Sequence, residues 1–203
     1  MSTTDDAPAP TAVSIVSQSI ADPAPLGLAA FALTTFLLSA VNAGWANNTS
    51  GLQWLGYALG YGGLVQLLAG MWEFRNRNVF GATAFSSYGG FWIGLGLWVL
   101  FAHASTADKD LGWILLAFAI FNTYMLIFAS QLNMAVFGVF LTLELTEIFL
   151  FIGNFAGNST IGKVGGYIGV ITALVAWYTS AAGVINGMKG RAVLPVGKPL
   201  FNL

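Results

Sequence analysis

Residues 141–153 read LTLELTEIFLFIG, and this stretch decides what kind of molecule the chain is. Its apolar residues suit the interior of a lipid bilayer, yet Glu144 and Glu147 interrupt it three residues apart. In a soluble helix such carboxylates face water. At the middle of a membrane an ionised side chain costs on the order of 3 kcal/mol or more. There it must be neutral, paired, or turned toward a wet cavity.

The rest of the chain favours the membrane. Of its 203 residues, 57% are hydrophobic and 7% charged, against about 25% charged in ordinary soluble domains. The apolar excess runs along nearly the whole length, as in an integral membrane protein rather than a soluble domain with an anchor. A net charge of −1 with no basic stripe argues against a nucleic-acid partner. Cysteine is absent, which excludes disulfides and thiolate chemistry. The opening MSTTDDAPAPTAVSIVSQSI has no basic region followed by an apolar core, and reads as a polar tail rather than a cleaved signal.

A helix needs about 20 mostly apolar residues to cross the hydrocarbon. Six segments qualify: Leu26–Ala46, Leu52–Trp72, Gly81–Ala102, Leu111–Ser130, Met134–Gly153 and Val164–Gly187. The separators NNTSG, EFRNRNV, HASTADKD, QLN and NFAGNSTIGK are short and polar. The expected organisation is all-α: a polar tail over 1–22, a six-helix transmembrane domain over 23–188, and a second tail over 189–203. An even number of crossings leaves both termini on one side. Arg75, Arg77, Lys189, Arg191 and Lys198 gather there, against Lys109 and Lys163 opposite. The excess of positive charge places both termini in the cytoplasm of a plasma (inner) membrane protein. Gly56, Gly60, Gly63 and Gly70 fall on one stripe of the second span, and Gly165 and Gly169 repeat the spacing in the sixth. Small residues so placed predict close helix contacts.

The fifth span is centred near Leu143, which puts Glu144 almost at the midplane and Glu147 roughly 6 Å further along. No Lys or Arg lies at that depth in another span, so an ion pair across the bundle is not expected. At about 100° per residue, Val136, Phe140, Leu143, Glu147, Leu150 and Asn154 share one face, with Glu144 turned roughly 60° from Glu147. The carboxyls fit either a wet pathway or a protonated pair bonded to a neighbouring helix. The pathway reading is favoured because ionisable residues inside membranes are costly and usually functional. Asn42, Gln66, Thr83, Ser86, Ser87, Tyr88, Asn122 and Thr123 add polar groups at membrane depth. Singly, such groups tie helices together; their number points to an aqueous route.

Four motifs carry a resemblance: DPAPLGLAAFALTT (Asp22–Thr35), EFRNRNVFGATAFSSYGGFW (Glu73–Trp92), IGNFAGN (Ile152–Asn158) and GRAVLPVG (Gly190–Gly197). In this order they closely resemble the acetate uptake transporter (GPR1/FUN34/YaaH) family. The resemblance implies a six-helix subunit in a ring-shaped homohexamer. Each subunit would have its own route for acetate, succinate or related short carboxylates, used by proton symport or as an anion channel. It also implies a constriction formed by Phe31, Tyr88 and Leu143. The helix-start residues Asp22, Pro23, Pro25 and Gly27 begin the first span. Proline suits a first helical turn, and the free N–H groups there favour an anion. Asp22 stands where the family motif has Asn; its negative charge opposes an anion site and favours simple capping. The family mostly has uncharged residues where Glu144 and Glu147 stand.

The candidate pathway residues are therefore Asn42, Gln66, Thr83, Ser87, Glu144, Glu147 and Asn154, around the Phe31–Tyr88–Leu143 neck. Competing readings are a passive pore for a small neutral solute such as ammonia, and a non-transporting scaffold or sensor. No metal, cofactor or enzymatic function is expected. His103, the only histidine, stands at a span end, and no nucleophile–base pair or metal-ligand spacing is present. No lysine lies within a span to form a retinal Schiff base.

Overall fold

A computed structural model describes residues 20–46, 53–101 and 107–201. The first 19 residues of the polar tail, the NNTSG connection and His103 lie outside the described residues. The described residues are helical: α1 (Ala24–Asn42), α2 (Gln53–Tyr57), a π-helical segment (Ala58–Val65), α3 (Gln66–Arg75), α4 (Val79–Phe101), α5 (Ala107–Ala129), α6 (Met134–Ala156) and α7 (Ser159–Lys189). Among the described residues, five helices are long and apolar enough to cross a membrane: α1, α4, α5 from Lys109, α6 and α7.

The short separators work as helix caps. The Asn133 side chain accepts from the backbone N–H of Val136 at 2.9 Å and opens α6; Asn158 accepts from Thr160 and Ile161 and opens α7. Both residues satisfy amides that the first helical turn leaves without partners. Gly157 and Gly190 end α6 and α7 with φ near +60°, a conformation glycine adopts without steric cost.

The second expected span departs from prediction. Leu52–Trp72 is read from the sequence as one ordinary helix, but the structure divides Gln53–Arg75 into α2, the π-helical segment and α3. The wide turn falls on ALGYGGLV. Its glycines leave room for a shifted backbone register, as in the π-bulges common near functional sites.

α7 packs between α1 and α6; α5 lies on α6, and α3 with the π-helical segment lies on α4. Glycine permits the closest approaches, on faces only partly expected. A Cβ on Gly166 would come within 2.7 Å of the Asn42 backbone carbon, and one on Gly89 within 2.8 Å of the Leu67 backbone nitrogen. Gly165 and Gly169 press on Leu150 and Ser39, and Gly63 and Gly70 also make close contacts. Gly56 and Gly60 do not: nothing lies within 4 Å of a Cβ built on either. The predicted stripe is thus split by the π-helical segment, whose different period rotates part of it out of the bundle.

The carboxyl-terminal segment is fastened to the helix ends. Asn186 accepts from the backbone N–H groups of Val193 and Leu194 and donates to the Leu194 carbonyl; the Tyr178 hydroxyl donates to Pro195 at 2.6 Å. The amides of Ala135 and Leu200 donate to Val196 and Ser130. Residues 190–201 therefore strap together the ends of α5, α6 and α7.

Gly166→Ala should lower thermal stability in detergent by the roughly 1–3 kcal/mol typical of overpacking. Gly162→Ala, on the same helix with nothing within 4 Å of its Cβ, should be neutral or slightly stabilising, because alanine favours helix by about 1 kcal/mol over glycine. Paired melting curves check both.

Candidate functional site

The face of α6 expected from the helical wheel lines a succession of small cavities. Phe140 and Leu143 border the first, a space of about 20 Å³ also lined by Leu28, Phe31, Gln66 and Tyr88. Leu143, Glu147 and Leu150 border the second, about 50 Å³, with Phe31, Thr35, Ser39, Asn42 and Trp92. Leu150 and Asn154 border the third, about 90 Å³, with Asn42 and Trp54. A water needs about 10–15 Å³ on this measure, so the first space is water-sized while the others hold several. Phe31 and Leu143 belong to both the first and second cavities and form the partition between them.

Phe31, Tyr88 and Leu143 meet in one buried cluster. The Phe31 and Tyr88 rings stand edge to face, with centroids 5.7 Å apart. That arrangement is favoured by the ring quadrupoles. Phe91, Phe118 and Phe121 surround Tyr88 with further aromatic contacts at 6.3, 5.8 and 5.5 Å. The ring is fixed in place, and its hydroxyl reaches Asn122 of α5.

Asn122 is fully buried. Its Nδ2 donates to the Phe140 carbonyl at 2.9 Å and to Glu144 Oε2 at 2.7 Å, and its Oδ1 accepts from the Tyr88 hydroxyl at 2.9 Å. The two acceptors beside Nδ2 fix the amide orientation, since Oδ1 turned toward them would meet only other oxygens. The Thr123 hydroxyl lies 2.8 Å from Glu144 Oε1. Glu144 Oε2 thus has a committed donor in Asn122, while Oε1 shares the single Thr123 hydrogen with the Ala119 carbonyl, also at 2.8 Å. Glu147 differs: it is 4% exposed, its Oε1 stands 3.4 Å from the Tyr88 hydroxyl, and its Oε2 has no partner.

The structure therefore brings Phe31, Tyr88, Leu143, Gln66, Asn42, Glu147 and Asn154 onto one line of cavities. Glu144 lies outside it, turned to α5. Thr83 and Ser87 are half-buried and line none of the three spaces. Asp22 Oδ1 accepts from the Ala24 amide at 2.9 Å, and Pro23 and Pro25 set the first turn of α1. Gly27 lets Phe85 approach so closely that a Cβ there would come within 2.7 Å of its ring. These residues build the start of the helix rather than a cavity.

Among the lining residues, Thr35, Ser39, Trp54 and Trp92 go unmarked in the sequence reading, whereas Gln66 and Glu147 are marked by it. Among the described residues, the buried polar atoms without a protein partner include Thr35 Oγ1, Trp54 Nε1, Gln66 Oε1, Trp92 Nε1 and Glu147 Oε2. All five residues line the three cavities. Thr35 and Ser39 recur at helical spacing on α1, a signal the sequence did contain. Glu73, fully buried at the end of α3 with Oε2 accepting from Asn76 at 2.9 Å, also escaped notice because it falls in a polar connection.

The sequence profile of the GPR1/FUN34/yaaH family matches residues 5–198. Acetate permease A of Emericella nidulans is 41% identical over 90% of this chain and 68% of that protein. Two yeast relatives are matched over 64% of their own length. The succinate-acetate/proton symporter SatP of Escherichia coli K12 is 38% identical over 88% of this chain and 96% of that protein. The solved structure of the bacterial acetate channel SatP superposes with a TM-score of 0.82 at 36% identity, covering 88% of this chain and 99% of that one. The chain belongs to the GPR1/FUN34/yaaH family.

Proposed function

We propose that this chain is a membrane transporter or channel for acetate and related short carboxylates, carried through a passage inside each subunit. The observation that carries the reading is the line of cavities bordered by otherwise unpartnered polar groups and divided by Phe31 and Leu143. Buried polar atoms are rarely left without partners, so a route past Thr35, Trp92, Glu147 and Gln66 suits a solute offering oxygens and hydrogens in turn. The neck between them is apolar on two sides and carries the Tyr88 hydroxyl on the third. Such a neck admits a small, largely dehydrated species more readily than a hydrated ion. The names of acetate permease A and the succinate-acetate symporter support the substrate class.

In this reading Gln53–Arg75 is the sixth crossing. At about 1.5 Å per helical residue its length matches a hydrocarbon core of about 30 Å. Both termini then lie in the cytoplasm with Arg75, Arg77, Lys189 and Arg191. The family resemblance supports a homohexameric ring, and the exposed apolar residues of α5, including Trp113, Ile120, Ile127 and Phe128, suit lipid or neighbouring copies.

Labelled acetate should enter proteoliposomes faster than protein-free vesicles, propionate should compete, and ammonium should not. Equal flux with and without protein overturns the proposal, while competition by ammonium alone favours a pore for a neutral solute. Leu143→Ala, which joins the first two cavities, should raise uptake of succinate relative to acetate several-fold, read in the same vesicles.

A further inference from the structure

Glu144 and Glu147 stand three residues apart, but the hydrogens around them are distributed unequally. Asn122 has two amide hydrogens, and Phe140 and Glu144 take both. Tyr88 has one hydroxyl hydrogen with two acceptors within reach, Asn122 Oδ1 at 2.9 Å and Glu147 Oε1 at 3.4 Å. The shorter contact takes it, because two oxygens 2.9 Å apart without a hydrogen between them repel. The remaining contact becomes a hydrogen bond only if the hydrogen comes from Glu147. An ionised Glu147 would have no committed protein donor on either oxygen, in a cavity lined chiefly by carbon. The penalty for an uncompensated buried charge is severe.

The surroundings offer no countercharge. Glu147 faces Tyr88 from α4 and has Glu144 one turn behind it on α6. α1 presents Phe31, Thr35 and Ser39, and α5 presents Leu115 and Asn122. On α7, Thr172 is engaged with Thr146 at 3.1 Å. No lysine, arginine or histidine lines the cavity.

We propose that Glu147 is held as the neutral acid, donating to the Tyr88 oxygen, and is the residue that exchanges a proton with the substrate at the neck. This rests on the transport reading above. A carboxylate arriving in the second cavity meets the acid after a turn about its last side-chain bond. The Glu147 O–H breaks, an O–H forms on the substrate, and the neutral acid faces the Phe31–Leu143 partition. Glu147 is left as a carboxylate without a committed protein donor, the costly state from which it recovers a proton. A hydronium ion arriving from the Asn154 side returns a proton to Glu147 and is left as water. Glu144, held on Oε2 by the Asn122 amide, anchors the other end of the chain.

Two measurements test this. Infrared spectra of the protein in vesicles near neutral pH should show the C=O stretch of a protonated carboxyl that disappears in Glu147→Gln and persists in Glu144→Gln. In Tyr88→Phe it should move toward the frequency of a free carboxyl. A band absent from the wild type, retained in Glu147→Gln, or unmoved in Tyr88→Phe overturns the proposal. Acetate uptake is then followed against pH, with flux into protein-free vesicles subtracted. Wild-type uptake should persist toward neutral pH. Uptake by Glu147→Gln should follow the neutral acid already in solution, falling about tenfold per pH unit above the acid's own pKa. A Glu147→Gln profile matching the wild type, or no uptake even where acetate arrives as the neutral acid, overturns the proposal. Absence of wild-type flux at every pH instead defeats the transport reading, and the infrared result still decides the state of Glu147.

Discussion

Every polar atom at membrane depth must find its partner inside the protein, because the hydrocarbon supplies none. Asn122 shows how strictly this is met. It is fully buried, uses both amide hydrogens and its oxygen, and in doing so joins α4, α5 and α6 through Tyr88, Phe140 and Glu144. Helix association in lipid lacks the usual hydrophobic drive, so such junctions, with the glycine contacts of α7 against α1, fix where the α6 face sits. The position of the neck follows from them: Tyr88 is held at its hydroxyl by Asn122 and around its ring by aromatic side chains, with that same hydroxyl facing Glu147.

The polar atoms that escape this rule are as informative as those that obey it. Thr146 and Thr172 pair with each other, and many of the hydroxyls bond to a carbonyl of the preceding helical turn. Those are the helix-tying groups that composition alone leads one to expect. Thr35, Trp92, Gln66 and Glu147 retain an unmatched atom, and they line the cavities. Glu73 Oε1 and Ser86 Oγ are also unmatched but border none of the three cavities, so it is an unmatched atom together with a place on a cavity wall that marks the passage.

Much of this was legible in the sequence. Five spans stand out because a hydrocarbon crossing imposes a length and a composition that few soluble segments meet. The α6 face was also legible, since one helical period is enough to group Phe140, Leu143, Glu147, Leu150 and Asn154. The π-helical segment was not, because its signal, glycines spaced four apart, is the same one that marks close helix packing. Nor was the fastening of GRAVLPVG, which depends on Asn186 and Tyr178 from a preceding helix. The division of labour between the two glutamates was half visible: the wheel separates them by about 60°, but what each faces depends on α5, whose rotation no local pattern fixes.

That rotation carries the functional argument. Had α5 presented a leucine in place of Asn122, Glu144 would lose a donor and the Tyr88 hydroxyl would have Glu147 as its remaining acceptor. Both carboxyls would then compete for too few hydrogens in one apolar layer, and like charges so close cannot both ionise cheaply. With Asn122 present, one carboxyl holds a committed donor and becomes structural, while the other keeps a free oxygen at the wall of a cavity. A single amide, read by its three hydrogen bonds, turns two equivalent letters in LTLELTEIFLFIG into an anchor and a group open to exchange.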